Sequence, residues 1–390
     1  MQLPLPDAES AAHSERVAEH IRVVIDAAGG VISFAQFMQE ALYAPGLGYY
    51  AAGTTKLGAG GDFVTAPEVS TLFGEVVASQ CGEVLRQVES GAILEFGAGS
   101  GKLACDVLRA LERRGELPPA GYQILEVSPD LRERQETFLR QQIPSLAGVV
   151  SWLDALPENH IGVVLANEVL DALPVERFVS RTGNVAQLCV ATDGADFTLI
   201  EKPAPGNLVA AVREIERSIG IPLPDGYASE VCLAAPLWLT DVAGALGHGA
   251  IFLFDYGLSR REYYAADRSG GWLRCHFRHR AHDDPLILPG IQDLTSWVDF
   301  SAVAGAAVDA GLDVLGFVTQ AQFMIGGGLE RVMSEYAKLP SDAQLKLSAE
   351  VKLLTLPTEM GEHFKCLGLV RGDIATPTAF GIADRTATLG

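Results

Sequence analysis

The chain has 390 residues, 48% of them hydrophobic, and a formal net charge of −20. The length allows a sizeable core with additions to one domain, and the acidity excludes nucleic acid as a partner, because a phosphate footprint needs clustered Lys and Arg. No apolar run approaches the roughly 18 residues of a membrane helix, so no membrane insertion is expected. Asp7 and Glu9 stand where a secretory leader would be apolar, which predicts a cytoplasmic protein. The six cysteines, Cys81, Cys105, Cys189, Cys232, Cys275 and Cys366, form no CxxC pair and argue against a metal site or a disulfide framework.

Val17, Ile21, Val24 and Ile25 recur at helical spacing and predict a helix over 15–28, stopped by Gly29-Gly30. A second helix over 34–42, a glycine-rich loop over 46–61 with Tyr49 and Tyr50, and a helix over 67–85 follow. Strand and helix then alternate: strand 92–96, helix 102–114, strands 122–127, 148–152 and 162–166. Short strands at 177–180, 186–192 and 197–202 are separated by Thr182-Gly183-Asn184 and Asp193-Gly194, which are hairpin signals. A helix over 207–219 closes that insertion. Helix 237–246, strand 250–255, helix 300–310 and strands 314–319 and 365–370 complete the core, and from about Ala375 the periodicity weakens toward a loose tail. The expected division is an N-terminal helical segment with a lid (1–90), a first core part (91–176), an inserted β-rich region (177–235), a second core part (236–374) and the tail (375–390).

The stretch from Ile93 to Lys102 reads Ile-Leu-Glu-Phe-Gly-Ala-Gly-Ser-Gly-Lys, an apolar run that ends in an acid and breaks into alternating glycines. Glycine is needed where a backbone closes a tight turn and approaches a ligand at contact distance. A dinucleotide fingerprint would have glycine at Lys102, and a P-loop would have glycine at Phe96 and Ser or Thr at Leu103, so NAD and ATP are both disfavoured. What remains resembles the first motif of Rossmann-like S-adenosylmethionine-dependent methyltransferases. That resemblance implies that Gly97, Ala98, Gly99 and Gly101 form the cofactor loop and that Glu95 faces the cationic amino-acid end. Glu126 closes the next strand, where two carboxylate oxygens can accept from a ribose diol, with Val127 beside it. Alone, such an acid suits NAD equally well; its combination with the loop carries the weight.

Longer segments narrow the resemblance. Gly61-Asp62-Phe63-Val64-Thr65-Ala66-Pro67-Glu68, Asn167-Glu168-Val169-Leu170-Asp171-Ala172-Leu173-Pro174-Val175, Phe254-Asp255-Tyr256-Gly257, Pro289-Gly290-Ile291-Gln292-Asp293-Leu294-Thr295 and Met360-Gly361-Glu362-His363-Phe364-Lys365 are similar to the MidA family, over about Tyr49 to Gly372. This implies an α/β fold: a Rossmann-like class I methyltransferase sheet with an N-terminal helical segment and an inserted small β-rich region. It implies S-adenosylmethionine as cofactor and a protein presenting arginine as acceptor, the substrate of the family's mitochondrial branch, which assembles respiratory complex I. A small-molecule methyltransferase and a non-catalytic assembly factor on the same fold are the alternatives. The oligomeric state is not indicated.

Methyl transfer depends on alignment, which can supply roughly 7–11 kcal/mol of a barrier. An arginine acceptor, with a pKa of about 13.8, stays protonated, so carboxylates are its natural clamp. Glu168 and Asp171 follow the fourth core strand, and a helical or tightly turned 167–173 would set them on one face; their plainer role would be capping a helix start. Asn167 is placed with the cofactor residues, as are Trp152, Leu153 and Asp154 after the third strand, on the adenine side. Asp62, Phe63, Thr65, Pro67 and Glu68, with Gly58, Gly60 and Gly61 as hinges, would form a lid or acceptor pocket, lined also by Asp255 and Tyr256. The basic stretch 274–282 lacks metal-ligand spacing; pairing with Asp283 and Asp284, or with an acidic partner segment, is its expected role.

Overall fold

The structure, a computed structural model, describes residues 3–51, 65–336 and 338–390. Gly58, Gly60, Gly61, Asp62 and Phe63 lie outside the described residues. The chain divides into two units of discontinuous segments. One comprises Met1–Phe63, Leu170–Leu237 and Leu258–Asp299; the other comprises Val64–Val169, Trp238–Gly257 and Phe300–Gly390.

The second unit is built on a mixed sheet in the order Asp313–Thr319, Phe364–Arg371, Leu246–Leu258, His160–Asn167, Ala92–Phe96, Tyr122–Leu125, Val150–Leu153. The last five pair in parallel, and Phe364–Arg371 runs antiparallel to both neighbours. Chain order reverses between Ala92–Phe96 and His160–Asn167, and ligands of open α/β sheets bind outside the strand ends at such a point. Ala92–Phe96 is buried throughout, as a central parallel strand must be when both faces are covered. Phe73, Phe252, Phe254, Phe323 and Phe380 belong to one hydrophobic cluster in this unit.

Several elements depart from the expected pattern. The 67–85 helix is two, Ala66–Val69 and Thr71–Leu85, because Ser70 is extended and its hydroxyl caps the second helix by accepting from the Leu72 N–H. The strand expected over 122–127 ends at Leu125, two residues early, which releases Glu126 and Val127 from the ladder. A helix over Pro129–Gln142 follows, started by Ser128 and Pro129; its sequence is too polar for apolar periodicity to reveal it. Helices Gln320–Gly326, Leu329–Tyr336 and Ser341–Thr355 were likewise not anticipated. The loose tail is not loose: Phe380 is 3% exposed, and Ala379 N–H donates to Gln80 Oε1 at 2.8 Å.

In the first unit, helix Ala8–Ala27 begins earlier than expected because Asp7 accepts from the Ser10 N–H at 2.9 Å. Ser33 caps Phe34–Tyr43 in the same way. An antiparallel sheet runs Val31–Ser33, Asn184–Asp193, Glu176–Arg181, Ala228–Val231, with Asp196–Pro203 paired to Asn184–Asp193. The hairpins anticipated at Gly183 and Gly194 are present, both glycines having positive φ. The basic stretch forms strands Arg274–Phe277 and Arg280–His282 in a small sheet with Asp293–Thr295. Arg274 lies 3.6 Å from Asp283, and Arg278 pairs with Asp7. Among the described residues, no helix is long and apolar enough to cross a membrane.

Candidate active site

The turn after Ala92–Phe96 is shaped by its glycines. Gly97, Gly99 and Gly101 have φ of 58°, 55° and 83°, all in the left-handed region that L side chains avoid. Gly101 N–H closes the turn on Ala98 C=O at 2.8 Å, and helix Lys102–Arg114 starts at once, leaving its first N–H groups toward the turn. Ser100 Oγ donates to Glu68, which brings one residue of the expected lid segment onto the turn. Pro67 is buried in the first turn of Ala66–Val69, and Thr65 is its half-buried N-cap.

Glu126 stands at the end of the neighbouring strand, half-buried. Its carboxylate accepts from Ser128 N–H at 2.9 Å and from Gln135 Nε2 at 3.0 Å, and burial pushes its pKa up. Val127, two residues past the strand, is 77% exposed and leaves an apolar surface there. Trp152 and Leu153 are half-buried at the end of the third strand, and Trp152 Nε1 donates to Gln135 Oε1 at 2.9 Å. Asp154 is exposed and paired with Arg132 at 2.7 Å.

Glu95 is placed differently from the rest of the motif. It is 2% exposed, accepts from Tyr122 Oη at 2.7 Å, and burial raises its pKa to about 7 despite that bond. Its described partner is thus a tyrosine of the next strand.

On the other side of the switch point, Asn167 ends its strand and Glu168 follows with φ 55°, a left-handed conformation rare for a non-glycine residue. Glu168 N–H donates to Phe254 C=O at 2.8 Å, and Asn167 Nδ2 donates to Glu168 Oε1 at 3.1 Å. Asn167 Oδ1 is buried with no hydrogen-bond partner among the described residues. Val169 Cγ2 would sit 3.5 Å from a Cβ at Gly97, so these two strand ends face each other closely. Of the two forms expected for 167–173, helical or tightly turned, the second is found: the stretch is bends and turns with no helix, so neither Glu168 nor Asp171 caps a helix start there. Asp171 belongs to the other unit, buried beside Tyr50, whose hydroxyl donates to Asp293 at 2.9 Å. Burial, then Asp293, Tyr43 and Asp171, hold the Tyr50 hydroxyl well above its usual pKa. Asp255 is buried and accepts from Tyr256 N–H at 3.0 Å, and Tyr256 packs edge-on against Phe364.

Gln135 escaped the sequence reading, although it lies four residues after Leu131 and four before Leu139, a core-facing position held by a polar residue. The site fits a nucleoside cofactor on its own terms. It offers a turn with no side chains at three positions, a carboxylate at the adjacent strand end, an exposed apolar residue beyond it and a buried acceptor on Asn167.

A parallel sheet whose strand order reverses beside a glycine-spaced turn, with a carboxylate after the next strand, defines a Rossmann-like protein with a nucleotide-binding crevice. Residues 76–318 match the family described as "Putative S-adenosyl-L-methionine-dependent methyltransferase". The chain belongs to that family, the MidA family. It is 30% identical to the zebrafish (Danio rerio) "Protein arginine methyltransferase NDUFAF7, mitochondrial", over 91% of this chain and 87% of the relative. The Drosophila melanogaster homolog of that protein is 29% identical over 95% and 89% of the two chains. A COG1565 superfamily member from Burkholderia thailandensis, solved bound to S-adenosyl-homocysteine, is 41% identical and superposes with a TM-score of 0.93, covering 99% of this chain and all of the other. The cofactor is S-adenosylmethionine.

Proposed function

We propose that this protein transfers the methyl group of S-adenosylmethionine to an arginine side chain of a protein partner, with Glu168 holding the acceptor. The observation that carries this reading is Glu168 itself. A charged, long side chain kept at φ 55° on the strand end of the switch point costs about 1–2 kcal/mol of backbone strain, and strain of that kind clusters at functional sites. When bound, the cofactor would supply an electrophilic methyl group and leave as S-adenosylhomocysteine, while the guanidinium nitrogen that gains the methyl gives up one proton, to solvent by way of the Glu168 carboxylate. The glycine turn and Glu126 would hold the cofactor nucleoside; Asn167 fixes the Glu168 carboxylate, which would accept from one edge of a guanidinium and orient the remaining nitrogen. Relatives of about 30% identity that are named protein arginine methyltransferases support arginine as the acceptor. The resemblance to the MidA family adds a subunit of respiratory complex I as the partner to test first.

The test is transfer of a radiolabelled methyl group from S-adenosylmethionine into whole-cell protein and, in parallel, into metabolite extracts. Label on arginine in protein, lost in Glu168→Gln, is the expected result. Label confined to small molecules, or on protein residues other than arginine, overturns it.

A further inference from the structure

Three parts of the cofactor cradle meet at one buried amide. Gln135 is fully buried. Its Nε2 donates to Gly99 C=O at 3.0 Å and to Glu126 Oε2 at 3.0 Å, and its Oε1 accepts from Trp152 Nε1 at 2.9 Å. Both N–H groups and the carbonyl of the amide are therefore used, each on a different strand end. The side chain also backs the turn directly: a Cβ on Gly101 would lie 3.7 Å from the Cα and Cβ of Gln135.

We infer that Gln135 is the positioning residue of the cofactor site, coupling the glycine turn, the ribose-facing carboxylate and the strand end that carries Trp152 into one rigid unit. Only a carboxamide satisfies the three partners at once. Two acceptors, a carbonyl and a carboxylate, face one donor group, and an indole N–H faces its acceptor. Glutamate, nearly identical in shape, would present an oxygen to Gly99 C=O and Glu126 where both need a donor. Leucine would leave all three partners without their bond, and buried groups left in that state cost more than the bond itself was worth. With Gln135 in place, Glu126 has one oxygen fixed by Ser128 N–H and the other by Gln135. Its orientation is therefore set before a ligand arrives, which lowers the ordering cost of binding.

This inference rests on the reading that Glu126 meets the cofactor ribose, and the test separates the two. Calorimetry on the full chain would measure S-adenosylhomocysteine and its 3′-deoxyribose analogue against wild type, Glu126→Gln, Gln135→Glu and Gln135→Leu. Gln135→Glu and Gln135→Leu are expected to weaken S-adenosylhomocysteine by about 10- to 100-fold, the loss of one charge-assisted bond. They should also shrink the penalty for deleting the ribose hydroxyl, which a merely structural defect would leave intact. If Glu126→Gln leaves affinity and the hydroxyl penalty unchanged, the ribose reading fails. If Glu126→Gln weakens binding while the folded Gln135 variants stay within twofold of wild type, or lose both ligands equally, Gln135 is a core residue and the inference is overturned. Should Gln135→Leu not fold, Gln135→Glu decides, and failure of both to fold would assign Gln135 to stability and likewise overturn it.

Discussion

Tyr122 donates its hydroxyl to Glu95 at 2.7 Å in the interior of the sheet, and the acid of the glycine motif is thereby tied to the neighbouring strand. Burial raises the Glu95 pKa from 4.5 to about 7, with Glu126 adding a smaller upward push against the lowering bond from Tyr122. Because the folded state holds this proton more tightly than the unfolded chain, the contribution to stability is fully present below about pH 4.5 and is lost as pH rises through about 7. Glu95→Gln keeps an acceptor for Tyr122 and removes the titration. It should equal wild type near pH 4 and exceed it at pH 8, by at most about 3 kcal/mol. Thermal midpoints of the two proteins across that range check this, and a constant difference at all pH values would be inconsistent with it.

Glu168 separates conformation from chemistry. Its φ of 55° is unstrained for glycine, so Glu168→Gly should be more stable than Glu168→Ala by about 1 kcal/mol, read as urea midpoints. Glu168→Gln preserves shape and the bond from Asn167. It should lower kcat by about 100-fold or more while S-adenosylhomocysteine affinity stays within about threefold. An unimpaired kcat would move the acceptor site elsewhere.

The fold was legible where glycine or helical spacing marked an element. Ala92–Phe96 and Lys102–Arg114 have the expected bounds, because three glycines separate an apolar run from an amphipathic helix. Glu126 could be placed at a strand end from spacing alone. The bend at Glu168 could not, since no residue type there announces a left-handed backbone; of the two forms expected for 167–173, helical or tightly turned, the turn is the one found. Gln135 was missed because helix Pro129–Gln142 carries few apolar residues. Its three partners, Gly99, Glu126 and Trp152, come together only when the sheet forms.

The C-terminal segment looked detachable for a related reason: its contacts are with distant glycines. A Cβ on Gly368 would meet the Phe380 ring at 2.5 Å and one on Gly316 would meet it at 2.9 Å, so these strand positions are bare to admit that ring. Phe380 also lies 5.7 Å from both Phe252 and Phe323, centroid to centroid. Phe380→Ala should cost about 3–5 kcal/mol, the usual range for emptying a buried phenylalanine site. Chemical denaturation is the measurement, and a loss below about 1 kcal/mol would restore the picture of a loose tail.

Gly101 and Gly183 provide a matched pair for the cofactor turn. Their φ values are 83° and 81°, so alanine at either position meets the same backbone penalty of about 1–2 kcal/mol. Neither substitution is blocked by space. A Cβ at Gly101 finds its nearest neighbour, Phe138, at 3.5 Å, an ordinary contact, and one at Gly183 finds nothing within 4 Å. Stability should therefore fall by similar amounts in Gly101→Ala and Gly183→Ala. The two should part company when S-adenosylhomocysteine is added, since a ligand stabilises a protein only through its affinity for the folded state. Gly183 lies in a hairpin turn of the other unit, so Gly183→Ala should keep the full ligand-induced rise in melting temperature. Gly101 both caps helix Lys102–Arg114 and closes the turn on Ala98; relaxing its φ toward negative values moves the N–H groups that this reading offers to the cofactor. Gly101→Ala should lose most of the rise, and equal rises in the two variants would mean that this turn does not grip the ligand.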